Sequence, residues 1–173
     1  RAYKAARLAI DMLTAQPAPA GRMPVIMSAQ AGGTMVHEAC GHGLEADLVY
    51  KGLSVYQGKI GQMVASPLVT VIDDATLPHR YGSYRFDDEG QAAQATVLIE
   101  KGRLVNYLYD RQFAFQDKTK STGNGRRESY QHKPIPRMSN TLIAPGEDHP
   151  EEIIASTDRG LLVVKMGGGQ VNT

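Results

Sequence analysis

Glycine sets the first limit on how this chain can fold. Eighteen of its 173 residues are Gly, about one in ten where ~7% is usual. Glycine opens positive φ and permits close approach of one backbone to another, but it weakens the interior of helices and strands. A chain cut this often predicts short elements and many turns. Its apolar residues do fall in short runs. Met23–Ser28, Val64–Ala65, Leu68–Ile72, Thr96–Glu100, Arg103–Asp110, Ser139–Ile143 and Leu161–Lys165 read as strands bounded by turn residues. Lys101-Gly102, between two of them, is a hairpin signal.

Three segments read as helices. Arg1–Gln16 carries Ala6, Ala9, Ile10 and Leu13 at helical spacing and is stopped by Pro17–Gly21. Gly32-Gly33 reads as a turn, and Thr34 as the N-cap of a helix from Met35 to Val49. Pro150 starts a helix over Glu151–Ser156, with acids in its first turn. Ser121–Pro136, rich in Gly, Asn, Ser and Pro, predicts a long loop. Helix, then antiparallel-looking strands, then one late helix predicts an α+β fold: a mostly antiparallel sheet, a motif-bearing helix and a few flanking helices. No repeat or linker divides the chain, so residues 1–173 are expected to be a single domain, with 1–22 an N-terminal helix and connector. The start at Arg1, already helical, and the end on Gly167–Thr173, which reads as the approach to another strand, predict a piece of a longer chain.

Composition excludes several classes. Hydrophobic and charged shares of 42% and 21% are those of a globular protein. One cysteine, Cys40, excludes a disulfide scaffold or a Cys-rich zinc module. No apolar run approaches the ~18 residues needed to cross a membrane. The net charge of +1 gives no global pull toward nucleic acid. Charge is uneven, however. Lys118, Lys120, Arg126, Arg127, Lys133 and Arg137 are opposed locally only by Glu128, so this stretch carries +5 while the rest of the chain carries −4. It reads either as a solvated loop or as a site for an anion or peptide carboxylate. Gly123-Asn124-Gly125 followed by two arginines has no Lys-Ser/Thr pair, which excludes a P-loop. Arg126 and Arg127 read as structural ion-pair formers or as substrate-carboxylate contacts.

The residues that carry chemistry are His37-Glu38-Ala39-Cys40-Gly41-His42, an H-E-x-x-x-H. Zinc takes neutral imidazole nitrogens, and a catalytic site supplies three protein ligands plus a water. The better-known H-E-x-x-H puts its histidines at i and i+4. Here the gap is five, and on an ideal helix His42 lies about 140° from His37. A π-bulge, a widening often found at functional sites, brings both to one ion; Gly41 leaves the turn uncrowded. Glu38 then projects toward the metal as a general base on its bound water, in hydrolysis of an amide bond. Polar residues among Thr34-Met35-Val36 and Leu44 cost free energy unless paired or ligated. Cys40, about 160° from His42, reads as a small buried apolar residue. Glu45, at about 80° and a turn further on, is either a ligand or a partner for an imidazole. His79, His132 and His149 have no spacing that marks them as ligands. The chain thus offers two firm ligands and no convincing third.

Beyond this motif, the chain resembles the TldD/PmbA metalloproteases, on the TldD side. The matching blocks are His37–Asp47, Asp87-Asp88-Glu89-Gly90, Val97–Gly102, Thr122–Tyr130 and Gly167-Gly168-Gly169-Gln170-Val171, in order. The resemblance implies a fragment of the family's C-terminal catalytic domain, with His37 and His42 as Zn2+ ligands and Glu38 as the catalytic glutamate. It implies a third ligand, a cysteine downstream of the Gly167–Val171 block, and puts Cys40 where an apolar residue is usual. It further implies a cytoplasmic peptidase acting on unfolded or modified peptides. The peptide would be held as an added strand, and the enzyme would pair with a PmbA/TldE-type subunit or form a homo-oligomer, with no nucleic acid or membrane partner. Without the third ligand, the chain alone is expected to bind zinc weakly or not at all and to be inactive. A non-catalytic peptide-binding module is the alternative.

Overall fold

The computed structural model describes residues 1–167. Residues 168–173, with most of the closing glycine block, lie outside the described residues. The chain runs α1 (Ala2–Met12), β1 (Val25–Met27), α2 (Ala29–Val36), a π-helical turn (His37–Gly41), a 3-10 turn (His42–Leu44), α3 (Ala46–Tyr50), β2 (Val71–Asp74), β3 (Ala95–Glu100), β4 (Arg103–Leu104), α4 (Arg111–Gln116), β5 (Gly125–Arg126), β6 (Ile135–Pro136), β7 (Thr141–Ile143), α5 (Pro150–Ala155) and β8 (Leu161–Val163). The main sheet is antiparallel, in the order β4-β3-β2-β7. A β5-β6 ribbon is antiparallel too, while β1 pairs with β8 in parallel. The α+β architecture expected from the sequence, mostly antiparallel with few helices, is the one observed.

The sheet is built around one tight turn. Lys101 and Gly102 both have positive φ, 45° and 81°, as a two-residue hairpin whose twist matches its strands requires. A Cβ on Gly102 would lie 2.5 Å from the Ala65 carbonyl. The Gly102 carbonyl in turn accepts from Val64 and Ala65 N–H, and its N–H bonds Val69 O. Residues 64–69 therefore dock on the hairpin tip rather than forming the strands predicted there. Leu68–Ile72 contributes only Val71–Asp74 with its continuation.

Three further expectations need correcting. Arg103–Asp110 leaves the ladder after Leu104, because Asp110 caps a helix the apolar pattern did not show. Its carboxylate accepts from Phe113 N–H at 2.7 Å, and α4 follows. The predicted loop Ser121–Pro136 contains the β5-β6 ribbon. α1 is shorter than predicted, ending at Met12, and none of its residues is buried.

The core lies between the motif segment and the main sheet. Val36, Leu44, Leu98, Ile99, Leu104 and Leu108 are all but fully buried there. A short parallel bridge, Ala46 N–H to Leu108 O and Leu108 N–H to Leu44 O, ties the motif to the chain leaving β4. The histidine-bearing turn is thus held on the same apolar base as the sheet.

Candidate metal centre

The helix predicted over Met35–Val49 is four pieces in the structure: the end of α2, the π-turn, the 3-10 turn and α3. α2 starts earlier than expected, with Ser28 rather than Thr34 as N-cap: its hydroxyl accepts from Ala31 N–H at 3.2 Å. Gly32 and Gly33 sit inside this helix. From His37 to Gly41 the backbone widens into a π-turn, with His42 N–H bonded to His37 O. An i→i+5 bond widens the turn enough to bring two side chains five apart to one side of the helix. The His37 and His42 rings accordingly meet edge to face, their centroids 4.9 Å apart and their planes at 85°. Gly41 also matters for packing: a Cβ would overlap the Met138 sulfur, which packs against the turn and would have to move aside.

At Glu45 the chain turns extended, with ψ 123°, and helix resumes only as α3. That break drops the Glu45 side chain into the interior beneath His42. Its Oε2 accepts from His42 Nδ1 at 3.2 Å and from an Arg137 guanidinium N–H at 3.0 Å. A carboxylate only accepts, so the pairing selects the Nδ1–H tautomer and leaves the Nε2 lone pair of His42 free. Of the two roles left open for Glu45, the geometry is that of the imidazole partner. Burial lifts the Glu45 carboxyl above the ordinary range, and Asp47 adds to this, while Arg137 and His42 pull it back. The same Arg137 nitrogen is 3.5 Å from Asp47 Oδ1 and also donates to Pro136 O. Burial, and then the neighbouring His42, hold His37 below its usual pKa, against the fields of Glu38 and Asp73. A neutral imidazole is the form that binds metal.

Asp73 on β2 underlies this arrangement. Its fully buried carboxylate accepts from Ser139 N–H and Oγ, Thr141 Oγ1 and Asn124 Nδ2 at 2.6–3.1 Å. Neutral donors from β7 and the β5 approach spread its charge without a cation. The ribbon is held from the other side as well. Gly125 N–H bonds Asp87 Oδ2, and Arg127 N–H bonds Asp88 Oδ2. The Asp87–Gly90 and Thr122–Tyr130 blocks therefore meet in space, and they present Arg126 and Arg127 to a cavity of about 430 Å³ that His37, His42, Glu45, Arg137 and Met138 also line.

Two supporting residues, Arg137 and Asp73, were not singled out from sequence. Arg137 appeared only as the last charge of the basic run. An Asp inside the apolar stretch Val71–Asp74 was the available signal for Asp73. Cys40 packs against the core and its neighbour is the Tyr56 hydroxyl. His79, His132 and His149 do not line the cavity. Among the described residues, no group of three or more His, Cys, Asp or Glu side chains is placed to hold one metal ion together. The two imidazoles, with a carboxylate fixing one tautomer and burial keeping the other neutral, are a donor pair suited to zinc.

Comparison with known proteins bears on this geometry. The chain is 47% identical over 171 residues to the metalloprotease TldD homolog of Haemophilus influenzae, covering 99% of this chain and 36% of that one. It is 30% identical to the zinc metalloprotease TldD homolog of Saccharolobus solfataricus, over 95% of this chain and 37% of the relative. The crystal structure of TldE from Thermococcus kodakarensis superposes with a TM-score of 0.75 at 28% identity, over 87% of this chain and 34% of that one. The chain thus spans about a third of the length of these relatives. The model of the PmbA/TldA metallopeptidase C-terminal domain matches residues 20–173, which takes in α2, the π-turn, the main sheet and the arginine ribbon. With the histidine turn and the sheet that supports it inside that match, this chain belongs to the PmbA/TldA metallopeptidase family, as part of its C-terminal domain.

Proposed function

We propose that this chain carries the histidine half of a zinc peptidase site, with His37 and His42 as ligands and Glu38 as general base. The observation that carries the reading is the π-turn, which puts the two rings 4.9 Å apart. The family resemblance adds a third ligand, a cysteine C-terminal to the Gly167–Val171 block. Zinc, when bound, supplies a Lewis acid that polarises the scissile carbonyl and acidifies water. Glu38, on the residue after His37, takes the proton from the attacking water and delivers it to the leaving amine. Glu45 holds His42 in one tautomer, and Arg137 holds Glu45. The substrate class is an unfolded or modified peptide. β7 is the outer strand of its sheet, and a groove of about 570 Å³ lined by Val25, Met27, Met35, Leu142 and Ile143 runs beside it. A peptide added there gains main-chain hydrogen bonds and tolerates many sequences.

By the same reasoning residues 1–173 act as one domain, in a cytoplasmic protein that works with a TldE-type subunit or with a second copy of itself. No helix among the described residues is long and apolar enough to cross a membrane. The deciding experiment is Glu38→Gln in the full chain, with cleavage of an unstructured peptide read by mass spectrometry and zinc by elemental analysis. Cleavage is expected to fall about 10²–10⁴-fold with zinc retained. Undiminished cleavage overturns the role of Glu38. Stoichiometric peptide binding that is indifferent to chelator, without cleavage in the parent, favours the binding-module alternative instead.

A further inference from the structure

Arg126 and Arg127 were open to two readings, as ion-pair formers or as carboxylate contacts, and the structure separates them. Among the described residues no Asp or Glu oxygen lies within salt-bridge distance of either guanidinium. Both are nonetheless held in place. Arg126 Nη1 donates to Met138 O at 2.8 Å, and its guanidinium carbon sits over the Tyr84 ring, 5.4 Å from the centroid. Arg127 is fixed through its own N–H to Asp88 Oδ2 at 2.8 Å, and its Nη2 lies 3.4 Å from Asp88 O. Neutral partners fix the Arg126 guanidinium, while Arg127 is tied to Asp88 chiefly through its main chain, and neither guanidinium meets a carboxylate. Arg137, by contrast, spends its charge on Glu45 and Asp47. Both guanidinium groups therefore share a cavity wall with His37 and His42, as does Glu128, whose carboxylate stands beyond salt-bridge distance of either.

We infer that Arg126 and Arg127 form a carboxylate-binding subsite beside the histidine pair, one that takes the C-terminal carboxylate or an Asp/Glu side chain of a bound peptide. A guanidinium presents a planar fork that matches a carboxylate, and charge-assisted pairs of this kind are the stronger hydrogen bonds. The Arg126 fork is already held by Met138 O and the Tyr84 ring, so little of its side-chain entropy is lost when the ligand arrives. The cavity, at about 430 Å³, has room for one or two peptide residues. The inference deepens the peptidase reading and rests on it for the choice of a peptide as the ligand.

The test is equilibrium binding, so that it does not depend on turnover. Full-chain Glu38→Gln protein is titrated with fluorescein-labelled hexapeptides of one sequence: a free C-terminal acid, its amide, and amidated versions with an internal Asp or Asn. The acid is expected to bind about tenfold more tightly than its amide, or the Asp peptide than its Asn counterpart; a factor of ten is what one charge-assisted contact supplies. Whichever pair shows the gap identifies the source of the carboxylate. Arg127→Gln and Arg126→Gln should erase the gap while leaving neutral-peptide affinity in place. Arg126→Lys, which keeps charge but not the fork, should erase most of it. Melting curves identify any variant that fails to fold, and Arg127, whose tie to Asp88 is through the main chain, provides the variant least exposed to that outcome. Equal affinities within both pairs, no peptide binding at all, or a gap that survives in the folded Arg126→Gln/Arg127→Gln variant overturns the inference. Mass spectrometry of the same samples beside the parent reports the peptidase reading separately. A carboxylate preference with no cleavage by the parent would sink that reading and leave the subsite standing.

Discussion

At the scale of single residues, the site depends on charges whose partners come from far away in sequence. Glu45 is buried and meets Arg137, 92 positions on, at 3.0 Å. Removing one member of a buried pair strands the other, at a typical cost of 3–5 kcal/mol. The Arg137 side chain is 37% exposed, so water screens the pair and Arg137→Met is expected to lower unfolding free energy by less than that, on the order of 1–3 kcal/mol. Glu45→Gln in the same chain should restore part of it, since the stranded charge is gone. Denaturant melts of the two single variants and the double measure the coupling, and strictly additive losses would show that the pair does not act as one. Asp110 makes a pH-dependent case. Burial pushes its carboxyl above the ordinary range, the Asp47 charge adds to this, and the Phe113 N–H it caps works against both. The folded chain holds this proton more tightly than the unfolded one, so its contribution to stability is fully present below the ordinary Asp pKa and is lost as pH rises through the raised value. Asp110→Asn keeps an acceptor for the cap and removes the titration. Its melting temperature relative to the parent should rise from about pH 4 to about pH 7, and a difference that stays flat over that range contradicts the assignment.

At the scale of elements, the π-turn is where sequence and structure agree most closely. Spacing of five between His37 and His42 conflicts with a regular helix, and widening was the simplest way to reconcile two ligands with one ion; the turn occupies His37–Gly41. Gly41 is its point of contact with Met138. Gly41→Ala places a methyl on the Met138 sulfur; that flexible side chain borders the cavity, so the cost is expected near the low end of the usual overpacking range, about 1 kcal/mol. The cost should shrink in a Met138→Ala background, which a double-mutant cycle by thermal melts would show. Undiminished cost there would place the strain elsewhere. What stayed hidden in the sequence was the rest of the motif helix. Apolar periodicity runs on through Leu44 and Val49, and it does not register that Glu45 must turn extended to reach His42. The hairpin at Lys101-Gly102 was legible because Gly102, between two runs that read as strands, suits positive φ, and Lys101 is drawn into it as well, at 45°. α4 was not, because Tyr107-Leu108-Tyr109 reads as strand and only the Asp110 cap, three residues ahead of Phe113 N–H, marks the helix. The β5-β6 ribbon escaped notice because strands of two residues carry no period. Arg137 escaped for a different reason: a charge run looks the same whether its members face water or a buried carboxylate.

At the scale of the molecule, stability and site are laid on the same base. The motif rests on Leu44, Leu98, Leu104 and Leu108, all fully buried, and the Ala46–Leu108 bridge ties it to the sheet. The β1-β8 pair is different: Val25 and Leu162 are each about half exposed, and α1 buries nothing. A two-stranded ladder with solvent on its apolar faces holds its hydrogen bonds weakly, and local opening follows the loss of buried contacts. The histidine turn should therefore remain closed through fluctuations that open β1 and β8, which keeps the two imidazoles at fixed separation while the groove beside β7 opens. Amide hydrogen exchange on the 173-residue chain checks this directly. The Ala46 and Leu108 amides, bonded at 3.0 and 2.8 Å to Leu108 O and Leu44 O, are expected to exchange at least about tenfold more slowly than those of Ser28 and Leu161, bonded at 2.9 and 3.0 Å across the β1-β8 ladder. The bond lengths are alike, so any difference reports the packing around them. If Ser28 and Leu161 prove as protected as Ala46, the two sheets open as a single unit, and the rigidity assigned to the histidine turn would have to extend to the wall of the groove.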